Sequence, residues 1–185
     1  KHIKKEPEPF TAEEREKILT QMTGQVRNLY EFAFWTGLRT SELLGLRKCD
    51  VDISRKVIFV RKAIVHGKEK TTKTRSSIRT HKLNSSAFEA LIGQLKLSPK
   101  EQDRVFLNPK NNQPWRDDRQ IYNQHWCPAV KKSGVKYRTQ YNTRHSYASS
   151  LLSQGEIPAK IASQLGHSNT QTTLSNYARW IPENN

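Results

Sequence analysis

Cysteine is nearly missing from this 185-residue sequence: Cys49 and Cys127 are the only two. They lie far apart, with no His or Cys at the spacing of zinc ligands, which argues against both a metal site and a disulfide framework. Two reduced thiols in a cytoplasmic protein is the reading that remains. Long apolar runs are missing as well. No stretch approaches the roughly 20 residues of a membrane helix, and the Lys-rich start KHIKKEPEP lacks the apolar segment of a secretion signal. A soluble, intracellular protein with no membrane partner is therefore expected. Acidic residues are outnumbered: 17 Asp and Glu stand against 32 Lys and Arg, a formal net charge of +15. Such a molecule attracts polyanions, and nucleic acid is the leading partner class, although composition does not separate DNA from RNA. No internal repeat or low-complexity tract interrupts the chain, whose length suits a single domain.

Residues 1–9 are charged and carry two prolines, so they read as a linker, with the domain itself over residues 10–185. Thr11 and Glu14 fit a capping box, which predicts a helix running to about Met22. In QVRNLYEFAFW, Val26, Leu29, Tyr30, Ala33 and Phe34 fall at helical spacing, and the helix should stop near Gly37. A short helix follows at SELLGL. The β-branched stretch KVIFVRKAIV is expected to pair with RSSIRTHKL across a polar loop, HGKEKTTKT, as one basic hairpin. SSAFEALIGQL reads as a helix capped by its serines, and NPKNNQPW as an exposed loop. Helices are predicted over about 117–132, 142–154, 157–165 and 170–177. The fold class expected is α+β: mostly helical, with a small antiparallel sheet.

Cutting a phosphodiester without a metal requires cations on the non-bridging oxygens, an acid for the departing oxygen and a nucleophile aimed in line. Arginine suits the first task, because negative charge grows on the phosphoryl group in a pentacoordinate transition state. Arg39 stands after a glycine turn at the start of a short helix, with Glu42 three residues on and within helical reach.

Four segments, TGLRTSELL, TKTRSSIRTHKL, YNTRHSYASSLL and LGHSNTQTTLSNYAR, occur in the order and at the approximate separations of the tyrosine recombinase family of phage-integrase type. The chain resembles that family's catalytic domain over about residues 10–180. The resemblance implies that Arg39 and Arg144 are the two catalytic arginines, that His167 contacts the phosphate and that Tyr177 is the nucleophile. It also implies a catalytic lysine at the hairpin turn. Lys73 matches best, with Lys70 and Lys68 as neighbours in the same loop, and an ammonium there can protonate the 5′ oxygen as the bond breaks. One position departs from the family. The second arginine usually belongs to a His-x-x-Arg signature, but YNTR puts Tyr141 in place of that histidine. A phenol can donate a hydrogen bond to a phosphate oxygen, yet its ordinary pKa near ~10 makes it a poor proton acceptor at neutral pH. His145, directly after the arginine, reads as a packing or supporting residue, as does Glu42.

The resemblance further implies attack on one strand of double-stranded DNA, a 3′-phosphotyrosyl intermediate and rejoining to a new 5′-hydroxyl, for integration or excision of a mobile element in a bacterial host. No cofactor and no metal are implied. Four active sites are needed to exchange both strands of two duplexes, so a homotetramer on DNA is expected, with a monomer in isolation. An N-terminal DNA-binding domain, found in relatives, is expected to have preceded the linker. Two other readings remain open on the residues alone. A topoisomerase or nickase would use similar chemistry without a recombined product, and IPAKIASQLGHSNTQTTLSNY resembles a helix-turn-helix, as in a non-enzymatic regulator.

Overall fold

The computed structural model describes residues 6–71 and 78–182. Helix α1 (Ala12–Leu19) opens with the expected capping box, in which Thr11 and Glu14 satisfy each other's backbone N–H groups. Helix α2 (Gly24–Thr36) buries Val26, Leu29, Tyr30, Phe32, Ala33 and Phe34. It ends at Gly37, whose φ of 62° a glycine adopts without strain. A Cβ at Gly37 would stand 2.5 Å from Tyr147 Cδ1, so the site requires both the conformation and the missing side chain. Helix α3 (Thr40–Gly45) follows after a three-residue turn.

The sheet region corrects the expected single hairpin. Strand β1 (Val51–Asp52) pairs antiparallel with β2 (Val57–Val60), and β2 pairs with β5 (Arg79–Lys82) in the register Val57↔Lys82 to Val60↔Arg79. The second half of KVIFVRKAIV is a separate strand, β3 (Lys62–Val65), and it pairs with β4 (Lys68–Thr71). Residues Lys68–Thr71 of the expected polar loop are therefore strand. His66 and Gly67, with φ of 51° and 72°, close it as a two-residue turn. Positive φ at both central residues matches the twist of a tight hairpin, and a two-residue closure costs far less chain entropy than a long loop. Glu69 ties the hairpin to the rest of the domain by pairing with Arg47 at 2.6 Å and with Arg104, and it also pairs with Lys62 at 3.1 Å. Those cations, Arg47 foremost, hold the Glu69 carboxyl down to about 2.

Helix α4 (Ser85–Leu97) is capped by Asn84, which accepts from the Ala87 N–H at 2.9 Å, rather than by the serines that follow it. NPKNNQPW is not simply an exposed loop. It holds the short ladder of β6 (Leu107–Asn108) with β7 (Gln113–Pro114), and Trp115 is buried. The predicted helix at 117–132 is divided into α5 (Asp118–Ile121), a π-turn over Tyr122–Trp126, and α6 (Cys127–Ser133). Pro128 at the start of α6 lacks an N–H and interrupts the regular ladder, which is where the wider turn arises. Helices α7 (Asn142–Ser153), α8 (Pro158–Leu165) and α9 (Thr170–Tyr177) fall where expected.

The larger core gathers α1, α2, α4 and α6 around Trp126, against which Phe10, Tyr30 and Phe34 pack. A smaller core holds α7 to α9 together through Tyr147, Ala148, Leu152, Ile161, Leu165 and Tyr177. The ends of α2 and α8 meet where the two cores adjoin. No helix among the described residues is long and apolar enough to cross a membrane.

Candidate active site

Arg144 is one of the largest buried side chains, with 1% relative exposure. It lies in the first turn of α7 and reaches across the domain. One Nη donates to the Gly37 carbonyl at 2.8 Å and the other to the Leu165 carbonyl at 2.7 Å. These are the C-terminal ends of α2 and α8, where unsatisfied carbonyls carry partial negative charge. Burial, then the Arg39 charge, pulls the guanidinium down to about 10, so it stays charged at neutral pH.

Arg39 is the N-cap residue of α3. Its backbone N–H donates to Glu42 Oε2 at 2.9 Å, and its Nη1 donates to Oε1 at 3.0 Å. Glu42 is buried and receives a second, bidentate arginine: Arg79 Nη1 and Nη2 donate to its two oxygens at 3.0 and 2.9 Å. Burial alone would raise the Glu42 carboxyl, but the Arg79 bonds and charge, with those of Arg39, prevail and hold it at about 2. Arg79 Nε also donates to the Gln164 carbonyl at 2.7 Å, tying β5 to the end of α8. Arg39 and Arg79 share the single carboxylate of Glu42, and Arg144, close enough to feel their charges, adds a third cation held by main-chain carbonyls, so positive charge is in excess.

His167 follows the α8 cap Gly166, and its Nδ1 is hydrogen-bonded to Thr173 Oγ1 at 2.8 Å. Burial first, then Arg144, Arg39 and Arg79, lower its pKa to about 4. Tyr177 ends α9 with 2% relative exposure, and its hydroxyl shares a 2.5 Å hydrogen bond with His145 Nδ1. Burial pushes the phenol up, while the Arg144 charge pulls it the other way. His145 is itself held at about 4 by burial and by Arg144. Both imidazoles are thus neutral at pH 7.

Tyr141 is half-exposed and stands edge-on against the His145 ring, with centroids 5.1 Å apart at 78°. With Arg39, Ser41, His66, Asp117 and Arg119 it lines an open cleft of about 500 Å³. The fold therefore brings together Arg39, Glu42, Tyr141, Arg144, His145, His167 and Tyr177. Lys73 lies outside the described residues; Lys68 and Lys70 are exposed on β4. Sequence reasoning missed Arg79 and Thr173. His145, expected as a packing or supporting residue, has its Nδ1 hydrogen-bonded to the Tyr177 hydroxyl. Among the described residues, no cluster of His, Cys, Asp and Glu could hold a metal ion.

This arrangement, with clustered guanidinium groups, neutral imidazoles and a phenol at a helix end, sits on the fold of tyrosine recombinase catalytic domains. The chain belongs to the phage integrase family, whose model matches residues 8–183. It is 31% identical over 202 residues to the prophage integrase IntR of Escherichia coli (strain K12), an alignment covering 97% of this chain and 49% of that protein. It is also 32% identical over 209 residues to a XerC-like tyrosine recombinase of Caldanaerobacter subterraneus, covering 98% of this chain and 52% of that one. The chain spans about half the length of these curated relatives. The fold matches the Tn1549 transposon integrase in complex with circular intermediate DNA, with a TM-score of 0.81 at 24% identity, covering 95% of this chain and 64% of that one. It matches XerA recombinase with a TM-score of 0.75 at 21% identity, covering 100% of this chain and 62% of that one.

Proposed function

We propose that this chain is the catalytic part of a site-specific recombinase that cleaves and rejoins double-stranded DNA to integrate or excise a mobile element. The observation that carries this reading is the Tyr177 hydroxyl, hydrogen-bonded to His145 and within the field of the buried Arg144, in a fold where Arg39 and Arg79 share the Glu42 carboxylate. Arg39 and Arg144 hold the non-bridging oxygens of a phosphate, and their fixed positions favour the transition state, where that charge is largest. His167, its Nδ1 engaged by Thr173, adds a hydrogen bond to the same group. Tyr177 attacks the phosphorus, forming a 3′-phosphotyrosyl bond as the bond to the 5′ oxygen breaks, and Lys73 protonates that oxygen. One phosphodiester is exchanged for another, so the energy needed for rejoining is kept in the covalent intermediate. The DNA-bound state is a homotetramer, and the chain alone is a monomer preceded in the whole protein by a DNA-binding domain.

A nicked duplex that loses a short strand on cleavage tests the reading, with a randomised central sequence so that captured adducts also identify the target. A denaturation-resistant adduct is expected from the native chain and none from Tyr177→Phe. Salt-sensitive DNA binding with no adduct would instead make the chain a regulator, and relaxation of supercoils without a recombined product would make it a topoisomerase.

A further inference from the structure

We propose that His145, rather than Tyr141, is the group that accepts the Tyr177 proton during cleavage and returns it during rejoining. The proposal rests on the recombinase reading above. His145 Nδ1 is 2.5 Å from the Tyr177 hydroxyl, a direct contact with no room for an intervening water. The two side chains come from different elements, α7 and α9, and their rings lie 5.6 Å apart at 55°. The imidazole also packs against Tyr141, one helical turn earlier, whose ring meets it edge-on. Tyr141 thus occupies the place of the family's usual histidine and acts through His145 as a positioning residue.

Chemistry separates the candidates for this task. A neutral phenol oxygen is a hydrogen-bond partner but hardly a base, which leaves Tyr141 unable to take a proton from another phenol. His167 is an imidazole, but its Nδ1 is engaged by Thr173. His145 is neutral at pH 7 and has its ring nitrogen on the reacting oxygen. Burial, and after it the Arg144 charge, keeps His145 neutral; a phosphate entering beside Arg144 offsets the second of these, and the imidazole becomes more basic as it is needed.

The step balances within the site. The Tyr177 O–H proton passes to His145 Nδ1 while the oxygen's electron pair forms the new bond to phosphorus. The bond from phosphorus to the 5′ oxygen breaks, and that oxygen leaves with its electron pair and takes a proton from Lys73. Rejoining runs in reverse: a 5′-hydroxyl gives its proton to the Lys73 amine as its oxygen bonds to phosphorus, the bond from phosphorus to the Tyr177 oxygen breaks, and the His145 imidazolium returns its proton to that departing oxygen.

The test is single-turnover adduct formation by the 185-residue chain on a duplex selected from the randomised nicked pool, comparing His145→Ala, His145→Gln and Tyr177→Phe. Both His145 variants are expected to slow adduct formation by about 100-fold with DNA binding unchanged, because glutamine can accept a hydrogen bond but cannot hold a proton. Difluorotyrosine at position 177 makes the nucleophile more acidic. It is expected to recover about tenfold in His145→Ala, a gain that a purely structural role would not produce. Native rates in either variant, a faster rate on losing the hydrogen bond, a native rate for glutamine alone, or no gain from fluorination would each overturn the proposal. An absence of adduct from the native chain would overturn the recombinase reading itself, so the two failures are distinguishable.

Discussion

Replacing Glu42 by Gln removes the carboxylate that both Arg39 and Arg79 grip and keeps the side chain's shape. The amide also turns a pair of donor hydrogens toward guanidinium groups that have only donors to offer. The cost follows from the carboxyl's own equilibrium. Its pKa is 4.5 when unperturbed and about 2 in the fold. That difference corresponds to about 3 kcal/mol of folding stability at pH 7, the same size as the cost of about 3–5 kcal/mol for removing one partner of a buried ion pair. For a domain of this length the loss lowers the melting temperature by roughly 6–12 °C. The pH dependence has a definite sign. Because folding depresses the Glu42 pKa, its stabilisation is fully present above about pH 4.5 and is lost as the pH falls through about 2. Urea unfolding of the native and Glu42→Gln chains from pH 7 to pH 2 measures both effects. A loss below about 1 kcal/mol at pH 7, or a gap between the chains that does not narrow below pH 4.5, would refute the reasoning.

Three further outcomes are expected. Tyr141→His should preserve or raise cleavage in the adduct assay, since an imidazole at that place can pack on His145 and can also accept a proton; complete loss of activity would contradict this. Thr173→Val removes the bond that orients His167. It should slow adduct formation by about tenfold, corresponding to about 1.4 kcal/mol of transition-state stabilisation, with the melting temperature nearly unchanged. Gly37→Ala imposes a strained φ and drives a methyl group to 2.5 Å from the Tyr147 ring. A loss of about 2 kcal/mol or more in urea unfolding is expected, and a variant as stable as the native chain would show that the α2 end is not constrained as described.

Local chemistry made part of this site visible in the sequence. The Arg39 and Glu42 pair spans one helical turn, and Gly37 marks the end of an amphipathic stripe; both are short-range features. Arg79 was hidden because β5 turns its residues against their hydrophobicity. Ile78, just before the strand, is exposed, while Arg79 and His81 face inward. Alternation alone would have assigned the opposite faces. The partner of Tyr177 was also out of reach, since 32 residues separate it from His145 and only the packing of α9 on α7 joins them. The divided hairpin has a similar cause: the RSSIRTHKL strand could pair with either half of KVIFVRKAIV, and the His66–Gly67 turn decided between them. Lys73 lies outside the described residues, so its role rests on resemblance and on the chemistry a departing oxygen needs.

The carbonyl grip on Arg144 has a consequence for how the site can fail. Its two acceptors belong to the main chain at Gly37 and Leu165, so no side-chain substitution deletes either oxygen. The grip weakens only when the end of α2 or α8 shifts, and those ends belong to different cores. Arg144 is thus a rivet between two apolar cores. Partial melting of either one releases a charged side chain from its partners, making catalytic competence a report on the integrity of the whole domain rather than on the site alone.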